Sequence, residues 1–320
     1  MTRHRTLRRG AAAAGVAFLL VAGTLTPAQA ALPSADRGGR TCLNPSGDTT
    51  SAAKGGRGTD HRDVSVKEAK SIEAKTKEKL AAKGVAAAKP NKAGKPLIEV
   101  DVPVYVHVMV AADGVTGDVT DKQINDQIAV LNKTYGGKES SAAADVGATF
   151  TLAGIDRYYN DAWHNDKNSN QYRKLTRQGG KDALNIWLVE FGYLGIATFP
   201  WDYKSSGDVD GIRVLWASLP GGPEKNYNLG ETATHEAGHW LGLYHVFEGG
   251  CKEPSGGDQV ADTPPQSVAT NGCPEGQDSC AGDGLDSVHN YMDYSYDSCY
   301  NQFTPGQAAR VADMWNAYRA

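Results

Sequence analysis

The 320-residue chain has no run of the about 20 apolar residues that a bilayer span requires, so a transmembrane helix is excluded. Its longest apolar stretch, AAAAGVAFLLVAGTL at 11–25, stands behind an arginine-rich leader, MTRHRTLRRG, and ahead of a small-residue cleavage site, AQA at 28–30. Residues 1–30 therefore read as a signal peptide, and the protein as secreted. The adjacent Arg8 and Arg9 leave the export route open. Cysteine is scarce, 5 in all, and no CxxC pair occurs, which argues against a zinc site built from paired cysteines. Four of the five (Cys251, Cys273, Cys280 and Cys299) fall in the C-terminal third and allow three pairings, among which spacing does not choose; Cys42 stands apart.

Acidic residues and aromatics are what the first third lacks. Residues 1–97 hold 18 Lys and Arg against 7 Asp and Glu, a balance of +11, while 98–320 holds 15 against 30, a balance of −15. The acidic second region has no basic stripe for a nucleic-acid partner. Residues 31–97 are rich in Ala, Lys and Gly, nearly free of aromatics, and could bury little apolar surface alone. Their one periodic part, about 64–83, predicts a charged helix with i,i+4 pairs. A basic, poorly cored segment between a signal peptide and an acidic domain reads as a pro-segment, drawn to its domain by opposite charge and acting as its inhibitor. The expected domains are a signal peptide at 1–30, a pro-segment at 31–97 and a catalytic domain at 98–320.

Histidine is also sparse, 8 in the chain, yet three stand in THEAGHWLGLYH at 234–245. On a helix His235 and His239 share a face one turn apart. His245 can join them only if the helix ends, and Gly242 is the residue best able to take the left-handed conformation that ends it. Three neutral imidazoles meeting at one point suit a catalytic zinc, whose fourth position holds a water of lowered pKa. Glu236, beside the first ligand, is placed to act as general base.

The pattern HExxHxxGxxH resembles the signature of the metzincin zinc endopeptidases, which implies a methionine turn beneath the metal; NYMDY at 290–294 offers Met292. HVF after the third histidine, DTP at 262–264, NYMDYSYDSC at 290–299, FTPGQAARV at 303–311 and GYLGIATFP at 192–200 look most like the pappalysin family and its small, ulilysin-like secreted members. The resemblance implies an oxyanion-stabilising role for Tyr294, disulfides Cys251–Cys280 and Cys273–Cys299, and calcium at Asp258, Asp262 and Thr263. It also implies that the edge strand Gly195, Ile196 and Ala197 pairs with an extended peptide substrate. Cys42 could act as a latency switch by placing a thiolate on the zinc; the Leu43 that follows it departs from the glycine such a switch would carry.

The fold expected is α+β, a metzincin-type domain with a mixed five-stranded sheet, an active-site helix, and a loop-rich lower subdomain stapled by disulfides. Strand candidates are IEVDVPVYVHVMV, ATFTLAGI, LNIWLVEF, GIATFP and GIRVLWA; helices are expected over 120–135, capped by Thr120 and Gln123, from about Leu229 through the histidines, and after a Thr304 cap with Pro305 in the first turn. The activity expected is a zinc endopeptidase acting on proteins or peptides, made as a zymogen. A zinc amidase acting on cell-wall peptides, or a binding protein with structural zinc, are the alternatives.

Overall fold

A computed structural model describes residues 41–42, 51–52, 64–91, 95–252, 257–282 and 284–320. The signal-peptide expectation for 1–30 lies outside them. In chain order, the two-residue strands β1 (Thr41–Cys42) and β2 (Ser51–Ala52) pair antiparallel, and α1 (Val66–Ala82) follows. Then come β3 (Val100–Val110), α2 (Asp121–Thr134) and β4 (Ala148–Tyr159). Short helices α3 (Asp161–His164) and α4 (Ser169–Thr176) lead to β5 (Leu184–Val189) and β6 (Gly195–Ala197). The helix α5 (Tyr203–Ser206), β7 (Ile212–Leu215), α6 (Glu231–Trp240) and α7 (Pro305–Met314) complete the order, and a π-turn at Trp315–Arg319 extends α7.

The sheet is mixed and five-stranded, in the order β4-β3-β5-β7-β6. Every neighbouring pair is parallel except β6 with β7. β5 and β7 are buried throughout, as strands covered on both faces must be, and read accordingly as short apolar runs, LNIWLV and IRVL. α2 forms where expected: Thr120 and Gln123 close a capping box, and Ile124, Ile128 and Leu131 put one stripe into the core. β4 runs on to Tyr159, past the 148–155 expected, because it pairs along the whole of β3 and takes up one irregularity at Val104/Tyr105. Between His245 and Thr304 the described chain is loop with two single 3-10 turns, Gly250–Lys252 and Asp297–Cys299, stapled by Cys251–Cys280 and Cys273–Cys299, the pairing that the resemblance implied.

α1 was expected as a charged helix able to bury little. It buries Ala69, Ile72, Thr76 and Leu80, and packs on α7 and the π-turn. Glu73 pairs with Arg310 at 2.8 Å, the Thr76 hydroxyl lies 3.1 Å from that of Tyr318, and Lys79 stands over the Tyr318 ring. Lys83 Nζ donates to the backbone of Asn316 and Ala320, and Ala88 N donates to Asp313. The helix is thus held by an apolar stripe as well as by charge, and it lies on the C-terminal helix.

One buried ion pair ties the chain end to the sheet and to α6. Arg319 donates to both carboxylate oxygens of Asp210 at 2.8 and 3.2 Å, reaches Trp240 O, and lies 3.7 Å over the Trp240 ring. Asp210 also accepts from Trp240 Nε1 and Thr198 Oγ1. Replacing Asp210 by Ala leaves the guanidinium buried without its counter-charge, which costs about 3–5 kcal/mol. Urea unfolding of Asp210→Ala against wild type should show a loss of that size; a change under about 1 kcal/mol would mean the pair is not the anchor its burial implies.

Candidate metal centre and active site

All ten residues of α6 are buried. Its first N–H groups therefore need protein partners. Gly230, the residue before the helix, has no capping side chain; φ there is 99°, and the Asp297 carboxylate takes the role from a distant loop, accepting from the N–H groups of Leu229, Gly230 and Glu231. Burial pushes the Asp297 carboxyl up to about 7 against those three donors. Burial, and then the charge of Asp297, hold Glu231 well above the usual carboxylate range.

At the other end the helix stops where the motif predicted. Gly242 has φ 101°, its N–H donates to His239 O, and Leu243 N donates back to Gly238 O. A Cβ at Gly242 would stand 2.6 Å from Met314 Cγ, so both conformation and space require glycine. The turn returns His245 to the face of His235 and His239. Their Nε2 atoms lie 3.1 Å (His235 to His239), 3.2 Å (His239 to His245) and 3.3 Å (His235 to His245) apart. A tetrahedral zinc with arms of about 2.0–2.1 Å has nitrogen edges of roughly 3.3–3.4 Å.

The other ring nitrogens settle the tautomers. His235 Nδ1 donates to Tyr291 O at 2.6 Å and His239 Nδ1 to Leu243 O at 2.7 Å, which leaves each Nε2 its lone pair. Glu248 Oε2 stands 3.8 Å from His245 Nδ1. These two lone pairs and His245 Nε2 face one small volume, where a cation would relieve their repulsion, so this donor set fits a metal ion.

The other predicted residues are brought to the same place. Glu236 is buried, and a Cβ on Gly195 would lie 2.3 Å from its Oε1, so the edge strand passes directly over the carboxylate. Tyr294 Oη is 2.9 Å from His245 Nε2, with its ring against His245 and Phe247. Met292 Sδ lies under α6, where a Cβ on Gly238 would approach it to 2.4 Å. The turn bearing Met292 is held from beneath: Asp293 accepts from Thr270 N, Tyr294 N and Gln266 Nε2, and Asn290 exchanges a pair of amide hydrogen bonds with Gln307 of α7. β6 is the last strand of the sheet and pairs with β7 alone among the described strands.

Two residues of the expected calcium set meet, and the third is engaged elsewhere. Asp258 and Thr263 meet, Thr263 Oγ1 donating to Asp258 Oδ2 at 2.6 Å. Asp262 turns away to the N-terminus of α7, accepting from Thr304 Oγ1 at 2.7 Å and Gly306 N at 2.8 Å, because the orphan N–H groups of a helix start attract a carboxylate. Of Cys42 only the backbone is described, in β1; its side chain, and with it the latency contact, lies outside the described residues. Sequence reasoning also missed Asp297, whose capping role has no local signal.

Residues 153–316 match the Peptidase_M43 family, described as pregnancy-associated plasma protein-A. This chain belongs to that family. The metalloprotease is 46% identical over 230 residues to an extracellular metalloprotease of Verticillium alfalfae, covering 69% of this chain and 78% of the relative. It is 43% identical over 227 residues to extracellular metalloprotease 1 of Coccidioides posadasii, with 69% and 79% covered. Among solved structures, mature mirolysin of Tannerella forsythia in complex with a cleaved peptide superposes with a TM-score of 0.58 at 31% identity, over 68% of this chain and 91% of that one. A promirolysin mutant superposes with a TM-score of 0.60 at 26% identity, over 78% and 90%. The expectations of a metzincin-like fold and a protease are borne out.

Gly195 leaves no room for a side chain beside the Glu236 carboxylate. Gly195→Ala should displace the carboxylate by around an ångström and lower kcat/KM about 100-fold, with metal content unchanged. Hydrolysis of a quenched fluorescent peptide, beside metal analysis of the same preparation, checks this; wild-type turnover in Gly195→Ala would show that the strand does not constrain the base.

Proposed function

We propose that the protein is a secreted zinc endopeptidase that hydrolyses peptide bonds within proteins and is made as a zymogen. The observation that carries the reading is the triangle of Nε2 atoms with a buried carboxylate and a phenol beside it. His235, His239 and His245 would hold zinc, which when bound supplies a Lewis acid that polarises the scissile carbonyl and lowers the pKa of water.

Glu236 then takes the proton of the attacking water and delivers it to the leaving amine. Its burial beneath β6 keeps bulk water from the carboxylate and holds it in one orientation. Tyr294 Oη donates to the oxyanion, and its place 2.9 Å from His245 Nε2 sets that donor beside the reacting carbonyl. An extended substrate would add to β6 through main-chain hydrogen bonds at Gly195, Ile196 and Ala197, where small residues let a second backbone approach.

Two observations support export: the leader at 1–30 and the relatives' description as extracellular. Among the described residues no helix is long and apolar enough to cross a membrane. The promirolysin match covers 78% of the chain where the mature form covers 68%, which supports 31–97 as a pro-segment. Cys42 is its candidate zinc-directed thiol.

Casein hydrolysis tests the whole reading. The chain freed of residues 31–97 should cleave casein and lose that activity to a chelator. Glu236→Ala should abolish activity while keeping stoichiometric zinc, and Tyr294→Phe should lower kcat about 10²–10³-fold. Uncleaved Cys42→Ser should be active where the uncleaved wild type is not. Intact casein beside a folded, zinc-loaded protein would sink the endopeptidase reading.

Calcium is proposed at Asp258 and Thr263 alone. Burial pushes the Asp258 carboxyl up to about 7. A carboxyl raised in this way favours folding when protonated, and that contribution is lost as pH rises through 7. Calcium needs the ionised form, so it should offset the loss. The calcium-induced rise in Tm should be larger at pH 8 than at pH 6 and vanish in Asp258→Asn; an equal rise at both pH values would place the ion elsewhere.

A further inference from the structure

The turn that returns His245 to the face of His235 and His239 is contacted from outside the motif by a cation of α7. Arg310 of α7 is buried, its Nε donates to Gly242 O at 2.8 Å, and its guanidinium lies 4.8 Å from the ring centroid of Tyr244, the residue before His245. The second α7 neighbour of the turn is Met314, against which a Cβ at Gly242 would collide. These two residues stand one helical turn apart and grip the turn between them.

The same two residues are where α1 docks. Glu73 accepts from Arg310 Nη1 at 2.8 Å, and Thr76 Oγ1, one turn further along α1, lies 3.8 Å from Met314 Sδ. A guanidinium has a planar fork of donors, and here one branch serves the Gly242 carbonyl while another serves a carboxylate of the pro-segment. Without Glu73 the fork would lose the partner that fixes its plane, and the carbonyl at Gly242 would lose a donor held in register.

We propose that Arg310 is a positioning residue for the third histidine, and that α1 of the pro-segment sets its orientation through Glu73. The proposal rests on the zinc reading above. It gives α1 a role separate from blocking the cleft: docked on α7, the helix tightens the metal site from behind. By linkage, metal binding in turn tightens the docking of α1.

The test uses the full chain. Zinc affinity is measured by competition with a chromophoric chelator, the visible spectrum of the cobalt-substituted protein reports ligand geometry, and thermal unfolding of the metal-free protein reports packing. Arg310→Met should weaken zinc binding about 10–100-fold, the range for groups that orient metal ligands, and alter the cobalt spectrum. Arg310→Lys, which keeps one donor, should fall between it and wild type. Glu73→Gln should weaken zinc several-fold and add nothing in the Arg310→Met background.

If Arg310→Met lowers only the metal-free Tm, with zinc affinity and cobalt spectrum as in wild type, Arg310 is packing and the proposal falls. If Arg310→Met acts but Glu73→Gln does not, the coupling to α1 is overturned. Should Arg310→Met fail to fold, Arg310→Lys and Glu73→Gln decide the matter by the same readouts. A folded wild type that takes up no zinc would bring down the metal reading itself, which the other outcomes leave standing.

Discussion

Three imidazole nitrogens within 3.1–3.3 Å of one another can be held only if the helix bearing the first two stops before the third. The stop is Gly242, and it is demanding on two counts. Its φ of 101° excludes residues with a Cβ on conformational grounds, and Met314 excludes a Cβ on grounds of space. The C-terminal helix is thereby drawn into the metal site although it supplies no ligand. Its own start is tied back through the Gln307 and Asn290 amide pair to the turn carrying Met292, so the chain closes a ring of contacts around the histidines.

Burying α6 along its whole length has a second consequence. A helix end in contact with water can leave its orphan groups to solvent, whereas a buried one cannot. Asp297 therefore serves its N-terminus, Gln127 takes up Gly230 O, and Arg319 takes up Trp240 O at the C-terminus. Each partner comes from a segment remote in sequence. The disulfide at Cys299, two residues after Asp297, restricts the conformational freedom of the segment that must present that cap.

This distinction explains what was legible in the sequence. The motif residues, the Thr120 and Thr304 caps and the strand candidates carry local periodicity or spacing, and they stand where that spacing implied; the methionine turn was legible only through the family resemblance. Asp297, Asp210 and Arg310 carry none. Each is a single charge whose meaning depends on a partner dozens to hundreds of residues away, and in the sequence each looks like an ordinary surface residue. The place of Asp262 was hidden for the same reason. The family resemblance implied calcium there, while the fold gives that carboxylate a helix N-terminus to cap.

The basic segment at 31–97 shows where charge asymmetry leads and where it stops. A balance of +11 against −15 supplies long-range attraction without direction, since screened charges fix no register. Register comes from the short stripe Ala69, Ile72, Thr76 and Leu80, and from the one charge, Glu73, that meets a buried partner. The exposed lysines of α1 can be exchanged for other solvated residues with little consequence for docking, because surface pairs contribute little. The stripe cannot, since its loss exposes apolar surface on both α1 and the C-terminal helix that the rest of the fold leaves uncovered at that place.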